Sequence, residues 1–164
     1  MSVNKYNQHI WVLPEDDANR QIANGFLLAP NLNDRAIQTL PPSGGWIKVL
    51  NSFKDNHVPE MYKYKNRMML LLVDFDLKVD RRLTYAKKQI PDDLKERVFV
   101  LGTQSEPENL KKNIANINTF EDIGKALAQD CVNETDKIWG HDLIKHNRNE
   151  LARMISSVKP FLFN

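Results

Sequence analysis

Cysteine is nearly absent: Cys131 stands alone, so no intrachain disulfide can form. That argues against a secreted, stapled scaffold and for a reducing compartment, and a cytoplasmic location is the expectation. Long apolar runs are also missing. The longest, Met68 to Val73, is far short of a membrane span, so no membrane association is expected. The opening residues MSVNKYNQHI are polar and hold no signal-peptide core. No GxGxxG occurs, which sets aside NAD and FAD, and neither a GxxxxGK[ST] phosphate loop nor a GxSxG elbow is present. Cys131 has no obvious base beside it, so nucleophilic catalysis has little support. An excess of one charge is missing too. A net charge of +2 neither implies nor excludes a polyanion partner, which would be held by local patches or by a metal.

What is present is a globular composition, 41% hydrophobic and 27% charged over 164 residues. That is enough chain to bury one core. The expectation is one domain over 1–164, with a sheet core over 1–115 and a helical extension over 116–164.

Strand-like and helix-like stretches alternate. His9 to Leu13 is a β-branched and aromatic run stopped by Pro14, and Glu15-Asp16-Asp17 follows. Ala18, Ile22, Phe26 and Ala29 then recur at helical spacing behind acids that suit a helix start. Pro30 through Gly45 is loop-like at both ends, with Pro41-Pro42-Ser43-Gly44-Gly45 its clearest breaker. Trp46 to Leu50 is either a second strand or the start of a helix running to about Asn56. Met68 to Val73 is apolar at every position, as in a central strand covered on both faces. It ends in Asp74-Phe75-Asp76, and a helix is expected over Arg81 to Lys88. Val98 to Leu101 is another buried strand. Glu106-Pro107-Glu108 then starts a helical region, with one helix from Thr119 to about Gln129 and a longer one from about Lys137 to Val158. The pattern predicts a three-layer α/β fold with about four largely parallel strands and a helical C-terminal third.

In such sheets, sites gather at the carboxyl ends of the strands, and the acids lie there. One strand end offers Glu15, Asp16 and Asp17, another Asp74 and Asp76, a third Thr103, Ser105 and Glu106. Converging carboxylates must take up protons or a cation, and an oxygen-only set selects Mg²⁺ or Mn²⁺ over zinc. Two residues apart, Asp74 and Asp76 would share one side of an extended backbone while Phe75 points into the core. Each acid can also be read as the cap of the next helix. Arg81 and Arg82 could grip a phosphate or simply expose the first turn of a helix. Tyr62 to Arg67 alternates aromatic and basic residues. It could track a nucleic-acid backbone, or be a solvated lead-in to the strand after it. His141 could serve as an acid/base or merely cap, and Asp142 with His146 reads as a surface pair.

At VLPEDDANRQIANGF and LLLVDFD the chain resembles the Toprim family, the catalytic domain of topoisomerases, bacterial primases and OLD-type nucleases. The likeness spans Trp11 to about Gly102 and rests on a glutamate after the first strand and an Asp-x-Asp after a later apolar one. It implies Mg²⁺-dependent phosphodiester chemistry on nucleic acid. Glu15 would be acid/base or ligand, Asp74 and Asp76 metal ligands. Asp16, Ser105, Glu106 and His141 would stand behind them, with Arg81 and Arg82 on phosphate. Asp16 follows the glutamate where many members carry glycine or asparagine. OLD-type nucleases work with an ATPase, which this chain would have to find on another polypeptide. The alternative is a receiver-like signalling module, with an acidic pair after the first strand, Asp74 as phospho-acceptor, Thr103 after the fourth strand, and Lys159-Pro160. The gap from Asp16 to Asp74 is long for that pattern.

Overall fold

A computed structural model describes residues 3–163. Four parallel strands form one sheet in the order β2-β1-β3-β4: β1 His9–Pro14, β2 Ile37–Thr39, β3 Arg67–Asp74 and β4 Val98–Thr103. Helices cover both faces, and helices make up the C-terminal third, so the expected three-layer α/β architecture holds.

The period-2 alternation of the strands builds the two cores. Leu13, Met69, Leu71, Val73, Val98 and Val100 face one side. There they pack under α2 (Trp46–Ser52), α3 (Val58–Lys63) and α4 (Val79–Lys88). Ile10, Val12, Ile37, Leu70, Phe99 and Leu101 face the other side, under α1 (Asp17–Phe26) and the chain's end. The every-position apolarity of β3 follows from its central place between β1 and β4.

The second strand is Ile37–Thr39, between the two loop-like ends of Pro30 to Gly45, and of the two readings of Trp46 to Leu50 the helix holds. Three residues pairing Ile10–Val12 suffice for an edge strand, too short to leave an alternation in sequence. From Trp46 to Lys63 the chain stays helical, but Phe53–His57 widens into a π turn with Val58 N–H bonded to the Phe53 carbonyl. Pro59 has no N–H to continue the regular ladder, and the wider turn absorbs the gap.

Beyond β4 come α5 (Pro107–Asn113), α6 (Phe120–Asn133), α7 (Arg148–Ser157) and α8 (Lys159–Leu162). Thr119 and Asp122 close a reciprocal capping box on α6. α6 crosses α1 where Gly25 and Gly124 let the backbones touch: a Cβ on Gly124 would lie 1.9 Å from the Ile22 carbonyl oxygen. The long helix expected over Lys137 to Val158 is broken. Residues 136–144 form turns, because buried Asp130 takes the N–H groups of Ile138 and Trp139 and the Thr135 hydroxyl. Helix resumes only at α7, after a short 3₁₀ turn over Lys145–Asn147.

α7 and the turn before it seal the outer edge of β4 with side chains. Glu150 accepts from the Val100 N–H, and Asn147 both accepts from the Gly102 N–H and donates to its carbonyl. His146 Nε2 donates to the same carbonyl, so Asp142 and His146 are not a surface pair. Asp142 pairs with Lys145 instead. Among the described residues no helix is long and apolar enough to cross a membrane.

Candidate functional site

The chain runs from β1 outward to β2, then returns to place β3 on the other side of β1. The direction of winding reverses between β1 and β3, the position at which open α/β sheets place a crevice, outside the carboxyl ends of the strands. Glu15 follows β1 and Asp74 ends β3, which puts both at the crevice. Glu15 Oε2 accepts a 2.5 Å hydrogen bond from the Asp74 backbone N–H. The turn Ser43-Gly44-Gly45 closes over this end, with Ser43 and Gly44 N–H bonded to the carbonyls of Pro14 and Glu15.

Asp74 is held in place from two sides. Asn19 of α1 donates to its Oδ1 at 3.2 Å and Thr103 of β4 to the same oxygen at 3.3 Å. Oδ2 receives no protein hydrogen bond among the described residues. Burial, then the charges of Asp16 and Glu15, push the Asp74 carboxyl up to about 7, although Asn19 and Thr103 pull it down. Burial also lifts Glu15 above the usual carboxylate range. The Asp74 amide works against that rise and Asp16 adds to it. The charge of Asp16 therefore bears on both Glu15 and Asp74, and that of Glu15 on Asp74.

Asp16 caps α1, its Oδ1 taking the Asn19 N–H at 3.0 Å. That bond also sets the rotation of α1 that carries the Asn19 side chain to Asp74. Asp17 points outward and pairs with Arg20.

Asp76 departs from expectation. The strand ends at Asp74, and Asp76 and Leu77 both take left-handed backbone, φ +49° and +63°. The alternation that would align Asp76 with Asp74 stops there. The Asp76 side chain is 66% exposed and meets Arg82 at 3.4 Å. Phe75 does point inward and is buried. Arg82 bridges the site: it donates to the Asp74 carbonyl at 2.9 Å and lies 4.5 Å over the Trp46 ring. Arg81 is exposed and makes no ion pair among the described residues.

The other candidates are less central. The Thr103 hydroxyl has one proton to give and shares it between Asp74 and the nearer Ser105 carbonyl, while the Ser105 side chain accepts from Asn109. Glu106 is exposed at the start of α5. His141 accepts the Leu143 N–H and so closes its own turn. Tyr62 to Arg67 lies at the opposite, amino end of the sheet and does not form a strand with its bases on one face. Tyr62 and Lys63 finish α3, and Arg67 opens β3 fully buried, its guanidinium 3.5 Å from the Trp11 ring. Asn19 is the site residue the sequence reading passed over. Its signal was a polar residue in register with Ile22, Ala23 and Phe26 on the inward face of α1.

Among the described residues no three His, Cys, Asp or Glu side chains stand together as a ready metal cage. Mg²⁺ does not require one. It keeps several waters and is commonly held by one or two carboxylates together with substrate phosphate. Two crowded, oxygen-only carboxyls with raised proton affinity fit that demand, and Glu15 and Asp74 would be the ligands. Comparisons with family models, with curated proteins and with solved structures find no match to this chain, so the reading of the crevice rests on its own residues.

Proposed function

We propose that the crevice performs Mg²⁺- or Mn²⁺-dependent phosphodiester chemistry on nucleic acid, in the manner of a Toprim-like domain. The observation that carries this reading is the meeting of Glu15 and Asp74 at the sheet's reversal point, with Asp74 poised at about 7. Carboxyls whose proton affinity is raised by burial and by neighbouring acidic charge are relieved by a bound cation, which takes the proton's place. A divalent cation bound there would neutralise phosphate charge and stabilise a leaving alkoxide. The chain's own residues do the positioning. Asn19 and Thr103 fix Asp74 through one oxygen and leave the other without a protein hydrogen bond among the described residues. The Asp74 amide fixes Glu15, and Arg82 stands where a phosphate oxygen could replace its bond to Asp76. Asp76 joins the site only by releasing Arg82.

The test is cleavage of plasmid, single-stranded DNA and RNA with Mg²⁺ or Mn²⁺ by wild type, Glu15→Gln and Asp74→Asn. Turnover that both substitutions abolish supports the reading. Turnover unaffected by either, or no turnover of any of these substrates, refutes it. An ATPase supplied by another chain belongs to the same proposal and is checked by pull-down from the native host.

One observation favours the receiver-like alternative: the Thr103 hydroxyl sits on Asp74, as a residue that senses an acyl phosphate would. Against it, Lys159 is engaged elsewhere, with the Cys131 carbonyl and Glu134. Incubation with acetyl phosphate and Mg²⁺ separates the two: a hydroxylamine-labile acyl phosphate at Asp74, lost in Asp74→Asn, supports the receiver-like reading, and metal-dependent cleavage without it supports the first.

A further inference from the structure

A chain of contacts leads out of the crevice onto α4. From the Asp74 carbonyl, Arg82 reaches the Trp46 ring, and Trp46 meets Tyr85 edge-on with ring centroids 5.5 Å apart. Arg82 and Tyr85 are three residues apart on α4 and share a face. Tyr85 is 47% exposed, more than its packing against Trp46 requires. Lys78 and Arg81 stand within about one turn of Arg82 at the start of α4, and Lys48 lies over the Gly44-Gly45 turn that closes the site; all three are exposed and none is in an ion pair among the described residues. The opposing acids are Asp76, already on Arg82, and exposed Asp80.

We propose that this face binds single-stranded nucleic acid, with one base stacked on Tyr85 and the backbone led past Lys48, Lys78 and Arg81 into the crevice. The proposal rests on the phosphodiester reading and names the form of its substrate. Cations around a stacking ring match a strand whose phosphates and bases are both accessible. In a duplex the bases are stacked on each other and offer no free face to a protruding tyrosine. Arg82, already stacked on Trp46, places a guanidinium where the backbone would turn toward Asp74. Leu77, 71% exposed beside Asp76, gives the entrance an apolar lip against which a sugar or base edge can rest.

The test is fluorescence anisotropy of a labelled 15-nucleotide oligothymidylate and of a blunt duplex of the same length. Both are titrated with the full chain, once in EDTA and once in Ca²⁺. The single strand is expected to bind at least tenfold more tightly than the duplex. Tyr85→Ala should weaken strand binding about tenfold and Tyr85→Phe should restore it, as loss and return of one stacked base predict. Strand binding should quench tryptophan fluorescence, and Trp46→Phe should remove most of that quenching. Equal affinity for strand and duplex overturns the proposal, as does a Tyr85→Ala affinity matching wild type, or no binding of either probe in both buffers. The two readings fail separately. Tyr85-dependent strand binding without metal-dependent cleavage sinks the phosphodiester reading alone, and cleavage indifferent to Tyr85 sinks this one alone.

Discussion

Glu15 accepts its hydrogen bond from the backbone of Asp74, not from its carboxyl, so the two acids touch through the main chain while their side-chain charges oppose. The folded state therefore holds a proton on Asp74 that the unfolded chain has released, and stability falls as pH rises between the ordinary aspartate range and about 7. Asp74→Asn removes the opposition. We expect it to be more stable than wild type at pH 8 by roughly 2 kcal/mol, after discounting for the solvent Asp74 still meets. The difference should vanish below pH 4, and urea titrations at the two pH values measure it.

Thr103 lowers the Asp74 proton affinity by donating to its charged form. Thr103→Val keeps the volume and loses the donor. The Asp74 midpoint should rise above about 7, and any activity that needs ionised Asp74 should move its acid limb to higher pH by the same interval. Carboxyl-carbon titration by NMR checks the first, and a pH–rate profile the second.

Three histidines work in the opposite direction. His9, His57 and His146 are all held below their ordinary value by burial, so the unfolded chain binds more protons and stability declines as pH drops through 6.5 and below. His9 is fixed as one tautomer: Nδ1–H donates to the Asn7 carbonyl and Nε2 accepts from Arg67. Nitrogen-15 spectra should show that tautomer persisting well below pH 6.5.

At the α1–α6 crossing, Gly124→Ala would place a methyl 1.9 Å from the Ile22 carbonyl oxygen. Alanine's helix preference, about 1 kcal/mol, does not offset a backbone clash. A net loss of about 3 kcal/mol is expected in chemical unfolding. A neutral result would mean that α6 slides freely on α1.

How far the sequence disclosed all this depends on how local each cause is. Met68 to Val73 declared itself because burial on both faces demands an unbroken apolar run, and Thr119 because a capping box is written in neighbouring residues. Glu15 and Asp74 were legible as strand-end acids. Their meeting depends on the order β2-β1-β3-β4, which no single segment encodes. The spacing rule misplaces Asp76 because it assumes extended backbone, and the chain turns left-handed at Asp76 itself, two residues past the end of the strand. The turns over 136–144 were read as helix because their cause, the Asp130 carboxylate, lies back in α6. Ile37–Thr39 is too short for alternation to show against a loop.

At the β4 edge, Glu150→Ala would strip the Val100 N–H of its acceptor and leave Lys87 and Arg153 facing no acid. Lys87 and Arg153 are both more than a third exposed and regain water, so the loss comes chiefly from the buried amide left without an acceptor and should be about 2 kcal/mol. Amide exchange should accelerate first at Val100.

The same seal decides where the polypeptide can be cut. An outermost strand with bare N–H and C=O groups is a template for another chain. Here the cover is supplied by side chains that arrive late in the sequence, from His146, Asn147 and Glu150. A ribosome that has released β4 but not α7 exposes that template, and so does any truncation ending before Asn147. Such fragments should self-associate through β4, the edge that the C-terminal third guards in the intact chain.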